Sequence, residues 1–126
     1  MKTREQLTMD KQDEKMLDIM KTFGMKTNVC KACIYFLQKD EGTSCKIEQC
    51  MDIRQPEVSM AMKTLKAKKI VGCIYENTGG KGRPIQHYKC PDKEKLVNYI
   101  FDTAEQKVQH LQEQLETLKE LKAYYS

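Results

Sequence analysis

The chain has 126 residues, 40% of them hydrophobic and 32% charged, with a net charge of +4. These proportions suit one globular domain of ordinary size with an appended arm rather than a disordered chain, and no apolar run approaches the roughly eighteen residues of a membrane span. No membrane partner is expected, and the polar start Met1-Lys2-Thr3-Arg4-Glu5 leads into no apolar signal core, which points to the cytoplasm.

The first residues, Met1 to Gln6, read as a polar, frayed end. Met9, Met16, Met20 and Phe23 then recur at helical spacing, and Gly24 marks the stop. Thr27 or Asn28 can cap a second helix with Cys30, Cys33, Ile34 and Leu37 on one face. Both helices read as scaffold, packed behind the next pair of helices in the chain or in an interface between copies.

From Thr43 to Cys90 the pattern is a helix-turn-helix followed by a β-hairpin. Ser44 can cap a first helix with Ile47 and Met51 four apart on one face, and Asp52 takes the turn before Ile53. A second helix opens at once, with Pro56 at its first position after Gln55, where the missing N–H has no helical partner to lose. Val58, Met62 and Leu65 form its buried stripe, so Gln55, Ser59, Met60 and Lys63, with Lys66 at the edge, face outward. After Lys68 and Lys69 the period becomes extended: Ile70 to Glu76 and Arg83 to Lys89 read as two strands, joined by the turn Asn77-Thr78-Gly79-Gly80-Lys81-Gly82.

The run from Cys45 through Val71, with Gln55-Pro56-Glu57-Val58-Ser59 opening the second helix and Ile70-Val71 closing it, resembles the winged helix-turn-helix transcription regulators of the MarR and TrmB-like type. Gly82-Arg83-Pro84 fits their wing. The resemblance is defined over roughly half the chain, the flanking helices matching in pattern only. It implies a second helix in the major groove and a wing on the backbone or minor groove of double-stranded DNA. The contact set it implies is Ser44, Arg54, Gln55, Ser59, Met60, Lys63 and Lys66, with Lys81 and Arg83 on the wing.

Departures from the family pattern matter at Met60 and at the pair Glu48 and Asp52. Met60 stands where such proteins often carry Arg, so only an apolar contact such as a thymine methyl is open to it. Glu48 replaces the usual small apolar residue between the two helices, and Asp52 replaces a turn Gly, although Asp tolerates left-handed backbone better than most residues.

Charge distribution is independent of the resemblance and agrees with it. Residues 43–90 hold nine Lys and Arg against four Asp and Glu, net +5, whereas residues 91–126 hold five against seven, net −2. The positive excess sits on the segment proposed to meet phosphate.

From Asp92, a cap after Pro91, to Tyr125 there is no Gly or Pro. Val97, Phe101, Ala104, Val108, Leu111, Leu115 and Leu118 alternate spacings of four and three, a heptad seam. About 33 residues of helix extend about 50 Å, too far for the whole seam to be covered by so small a core. A second copy of the chain is the expected cover, with pairing loosening where Lys122 interrupts the seam and Leu121 falls off register.

Six cysteines suggest a sensor, and Cys30, Cys33 and Cys50 are the candidate redox thiols, Cys50 being the expected one if a single thiol is exposed. Against this, Cys30 and Cys33 share a stripe with Ile34 and Leu37, as small apolar core residues do. The C-x-x-C at Cys30 and Cys33 has no second C-x-x-C to complete a zinc site, so no metal is expected, and without an export signal the thiols should be reduced. His87 and His110 carry no metal-ligand spacing and read as surface residues, and the eight Met as adaptable packing.

Gly79-Gly80-Lys81-Gly82 lacks the spacing of a phosphate loop and leads into a strand, and no G-x-S-x-G or H-E-x-x-H is present. No enzyme activity and no cofactor are expected. The sequence therefore reads as a mainly α (α+β) chain: residues 1–90 a winged helix-turn-helix DNA-binding domain (helix-turn-helix 44–69, wing 70–90) with N-terminal helices, and residues 91–126 a coiled-coil-like dimerisation arm. The functional expectation is a homodimeric DNA-binding regulator that represses by occupying promoter DNA. The alternatives are a sequence-independent architectural DNA binder and a winged-helix protein-interaction module. The operator, the regulated genes and the effector are not encoded legibly; an effector would have to bind between arm and core or act on a thiol.

Overall fold

The computed structural model describes residues 9–76 and 85–126, and the side chains of Tyr75 and Glu76 lie outside that description. So do the polar start and the wing turn, including Lys81 and Arg83.

Among the described residues, five helices and three strands are arranged in the order α1 (Lys11–Thr22), α2 (Thr27–Gln38), β1 (Glu41–Thr43), α3 (Ser44–Met51), α4 (Gln55–Ala67), β2 (Gly72–Glu76), β3 (Ile85–Lys89) and α5 (Lys93–Tyr125). The helix-turn-helix and long terminal helix are thus where the sequence put them, while the first hairpin strand begins at Gly72 and not at Ile70, and the second is described from Ile85, Arg83 and Pro84 lying outside the described residues. Among the described residues no helix is long and apolar enough to cross a membrane.

α2 is the centre of the molecule. It packs against α1, α3, α4 and α5, and Val29, Cys30, Ala32, Cys33, Ile34, Tyr35 and Phe36 are all buried. A helix enclosed on so many sides has no room for a polar face, which is why these positions are apolar nearly all round. Tyr35 and Phe36 meet edge to face with ring centroids 5.1 Å apart, a geometry that adds about 0.5–1.5 kcal/mol beyond area burial. Into this centre α4 inserts Val58, Ala61, Met62 and Leu65, α3 inserts Ile47, Cys50 and Met51, and α5 inserts Leu96 and Ile100.

Helix ends show how local chemistry sets the boundaries. Asp10 caps α1 by accepting from the Asp13 amide at 2.8 Å, and Asp13 returns the bond to the Asp10 amide at 3.3 Å. α3 is capped by Thr43, whose hydroxyl accepts from the Lys46 amide at 3.1 Å, so Ser44 is the first helical residue and not the cap. α2 likewise begins at Thr27 with Lys26 in the cap position and no side-chain bond there. In α4, Arg54 is the cap residue, Gln55 the first helical residue and Pro56 the second; the Glu57 carboxylate accepts from the Arg54 amide at 2.9 Å. α5 starts as expected from Asp92, which accepts from the Glu94 and Lys95 amides.

Three helices end on a left-handed residue: Gly24 (φ +90) after α1, Asp52 (φ 56) after α3 and Lys69 (φ 61) after α4. At the last, the Ile70 amide returns to the Leu65 carbonyl and the Lys69 amide to the Lys66 carbonyl, turning the chain from helix into the buried pair Ile70-Val71.

The sheet is antiparallel, in the order β1-β3-β2. β2 pairs with β3 with Cys73 opposite Tyr88 and Ile74 opposite His87; β1 pairs on the other side with Gly42 opposite Tyr88 and Thr43 opposite His87. β1 had no signature in the sequence. It is held where the Tyr35 hydroxyl donates to the Glu41 carbonyl at 3.0 Å and Gly42 passes close against the hydroxyl end of the Tyr35 ring. This pairing also corrects the expectation for His87: it is largely covered, with its Nε2 2.6 Å from the Glu41 carboxylate.

The base of α5 is fastened to the core at three points. Lys93 bonds the Leu37 carbonyl at 3.3 Å and the Asp40 carboxylate at 3.2 Å, and Lys95 bonds the Lys69 carbonyl at 3.2 Å. Beyond residue 108 the helix is exposed on every side.

Candidate nucleic-acid interface

α4 buries one face and presents the other to solvent. With Val58, Ala61, Met62 and Leu65 turned inward, the outward face carries Gln55, Ser59, Met60, Lys63 and Lys66 in one stripe, with Arg54 at its N-terminus. Met60 is 55% exposed, so a large apolar side chain stands more than half open to solvent among polar and basic neighbours. The Gln55 carboxamide donates to the Ser59 hydroxyl at 2.9 Å, one turn along. This bond holds two of the expected base-reading side chains side by side.

The N-terminal end of α4 is fixed from behind. Asn28, in the first turn of α2, donates from its carboxamide to the Glu57 carbonyl at 3.0 Å and accepts from the Val29 amide at 2.9 Å. The turn before α4 is closed by the Ile53 amide bonding back to Glu48. Glu48 and Asp52, the departures noted in the sequence, are accommodated: Glu48 is half-buried and Asp52 takes the left-handed position.

Between α4 and β3 runs a groove of about 420 Å³ lined by Ser59, Met62, Lys63, Lys66, Gln86 and Tyr88. Gln86 and Tyr88 were not among the expected contacts, and the Tyr88 hydroxyl donates to the Gln86 carboxamide oxygen at 3.0 Å. The alternation of β3 could have flagged Gln86, but its approach to α4 depends on how the hairpin folds over that helix, which no local pattern carries. Of the other expected contacts, Ser44 opens α3 and is half-buried, away from the α4 stripe in sequence and element. Lys81 and Arg83 fall outside the described residues.

The thiols are placed differently from expectation. Cys50, the one expected if a single thiol is exposed, is buried against the core, and so are Cys30 and Cys33; the exposed one is Cys45, in the first turn of α3, with Cys73 half-buried. Ile47, Cys50 and Met51 together form the inward face of the short α3, a stripe that carries Cys50 with it. Burial raises the Cys30 thiol, against the charge of Lys21, and pushes Cys33 up to about 12, with Cys30 and Cys90 adding to the effect. Thiols placed as those of Cys30 and Cys33 stay protonated and unreactive at neutral pH, and Cys50 is shielded from solvent by its burial, which argues against these three as redox thiols. Among the described residues no group of three or more His, Cys, Asp or Glu is arranged to hold a metal.

The seam of α5 is uncovered. Val97, Phe101, Val108, Leu111, Leu115 and Leu118 are between 41% and 64% exposed, and Ala104 is half-buried. Alongside its first half, α1 turns Met16, Ile19 and Phe23 toward the same side, and the two helices enclose an open groove of about 850 Å³.

Comparison with solved structures identifies the architecture. A possible transcriptional regulator from Methanosarcina mazei Go1 aligns with a TM-score of 0.58 at 18% identity, over 79% of this chain and 85% of that one. A MarR-family transcriptional regulator from Silicibacter pomeroyi aligns with a TM-score of 0.52 at 16% identity, over 89% and 78%. TrmBL2, an archaeal chromatin protein, aligns with a TM-score of 0.52 at 13% identity, over 86% of this chain and 40% of that one. The fold is the winged helix-turn-helix of MarR-family and TrmB-like regulators. No family model matches the chain, and no curated protein matches it in sequence.

Proposed function

We propose that this chain is a homodimeric, DNA-binding transcription regulator that represses by occupying promoter DNA. Residues 1–90 would be the DNA-binding domain and residues 91–126 the dimerisation arm. The observation that supports it most is the outward stripe of α4, where polar and basic side chains and one uncovered Met stand on a helix whose other face and N-terminus are locked to the core. A helix held rigidly by its back and bare on a polar, cationic front is what insertion into a major groove requires.

In this reading Gln55, Ser59 and Met60 meet base edges, while Arg54, Lys63 and Lys66 meet phosphate, with Ser44 a further contact. Lys81 and Arg83 would fix the wing on the backbone or minor groove. Two copies paired through the α5 seam would present two α4 helices to successive major grooves about 34 Å apart. The neighbours in fold support the regulator reading, since one is a MarR-family transcriptional regulator and another is described as a possible transcriptional regulator.

A second reading, sequence-independent architectural binding, is favoured by one observation. Met60 offers no hydrogen bond at the centre of the stripe, and TrmBL2, which shares the fold, is a chromatin protein. Selection of random duplexes on the purified protein at moderate salt separates the possibilities. Enrichment of an inverted repeat supports the dimeric regulator, retention without enrichment supports the architectural binder, and no retention at any salt concentration turns the search to a protein partner.

A further inference from the structure

We infer that the groove between α1 and α5 receives the C-terminal half of α5 from a second copy, the two arms running antiparallel with Phe101 against Leu118, Ala104 against Leu115 and Val108 against Leu111. The inference rests on the proposed homodimer and specifies its geometry.

Shape argues for it first. The first half of the seam lies in a concavity of about 850 Å³ walled by Met16, Ile19 and Phe23, whereas the second half, from Leu111 onward, is a bare ridge with solvent on all sides. Parallel pairing would set each groove opposite the same groove of its partner, and two facing hollows leave voids that close-packed interiors do not tolerate. Antiparallel pairing seats ridge in groove twice, once on each side of a two-fold axis passing between Gln109 and His110.

Spacing permits it. From Phe101 to Leu118 the seam steps by three, four, three, four and three residues, a palindrome, so the reversed helix matches the same layers without slippage.

Charge selects it. Lys122 occupies the seam position after Leu118, and Glu94 the one before Val97. In the antiparallel register Lys122 falls opposite Val97 of the second copy, one turn from its Glu94, so opposite charges meet at both ends of the interface. In a parallel dimer Lys122 would oppose Lys122 and Glu94 would oppose Glu94, the like-charge juxtaposition by which coiled coils reject a pairing. The Lys that reads as an interruption of the seam thus becomes the group that sets its direction.

The test is photo-crosslinking of the full chain with p-benzoylphenylalanine in place of Leu118, followed by peptide mass spectrometry. Seventeen residues separate Leu118 from Phe101, roughly 25 Å along one helix, so a link between them must join two chains. Adducts to residues 16–23 or 97–105 are expected. Adducts to residues 115–122 recovered from the crosslinked dimer and absent from the monomer band, since neighbours one turn away can link within a chain, would overturn the antiparallel geometry and leave the homodimer standing, while a monomer mass in analytical ultracentrifugation would overturn both.

Charge variants give a second readout that needs no crosslink. Lys122→Glu is expected to weaken the dimer by about tenfold, and adding Glu94→Lys to restore it to within about threefold. Failure of the double variant to recover would also overturn the antiparallel register.

Discussion

The Asn28 carboxamide of α2 donates to the Glu57 carbonyl in the first turn of α4 at 3.0 Å, across 29 positions of sequence. The bond ties the central helix of the core to the end of the helix that presents the candidate DNA face. Asn28→Ala removes the donor and its grip on α4, at about 1 kcal/mol, or roughly 4 °C in Tm. DNA affinity should fall further than this loss explains at temperatures where the variant is fully folded, because the Gln55 and Ser59 end of α4 is no longer fixed. Thermal melts paired with anisotropy titrations check both; unchanged affinity of the folded variant would mean that α4 is positioned without Asn28.

Lys63 lies in the middle of the exposed stripe, one turn from Ser59 and beside the groove shared with β3. Lys63→Ala should leave stability within about 0.5 kcal/mol, as exposed positions do. It should weaken duplex binding for all sequences alike and reduce the slope of log K against log salt by about 0.9. A slope equal to that of the parent protein over several salt concentrations would place the phosphate contact elsewhere.

The helices and the α4 face were legible because each rests on a 3.6-residue period that one face of a helix imposes on nearby residues. Val58, Met62 and Leu65 turned inward as read, and Gln55, Ser59, Met60 and Lys63 turned outward. Caps shifted by one residue at Thr43 and Lys26 because adjacent polar residues offer similar local chemistry and the fold chooses between them. Cys50, three residues after Ile47 on the same face of α3, was open to that same reading, but β1 and the His87–Glu41 pair were illegible for a different reason. Each depends on what another element brings across space: three residues of β1 carry no alternation, and Glu41 meets His87 only through a strand pairing that spans 46 positions.

Gly42 shows how closely β1 is held. A Cβ built there would run into the Tyr35 hydroxyl and lie 2.8 Å from Cζ of the same ring, and Tyr35 is fully buried. Gly42→Ala must therefore displace either β1 or the Tyr35 ring, at about 1–3 kcal/mol. Tyr35→Phe retains the ring and loses the bond to the Glu41 carbonyl, so it should be milder, about 1 kcal/mol. Urea unfolding of the two variants should rank them in that order, and the reverse order would show that the hydroxyl rather than the close approach holds the strand.

Lys69 sits at φ 61 in the closing turn of α4. Left-handed backbone costs a residue with a side chain about 1 kcal/mol relative to glycine, so Lys69→Gly should stabilise the fold by a few tenths to about 1 kcal/mol after the greater freedom of glycine in the unfolded chain is counted. The Lys95 ammonium bonds the carbonyl and not the side chain of Lys69, and that bond survives the change. A midpoint in urea that moves down instead of up would show that the Lys69 side chain stabilises the turn by more than the strain.

Cys33 links the core to alkaline pH. Fully buried in α2, its thiol is pushed up to about 12 from an ordinary 9.0, first by burial and then by Cys30 and Cys90. The unfolded chain therefore gives up this proton first as pH rises, and the folded state holds it longer. By linkage the contribution is intact below about pH 9 and is lost progressively between 9 and about 12, at up to about 1.4 kcal/mol per pH unit for this one proton. Cys30 and Cys90, also raised by burial, steepen the decline. Urea unfolding from pH 7 to 10.5 should show a plateau followed by this fall. Cys33→Ala, although less stable at pH 7 for the packing it loses, should fall less steeply above pH 9; equal slopes for the two proteins would mean that the thiol at position 33 ionises as readily folded as unfolded.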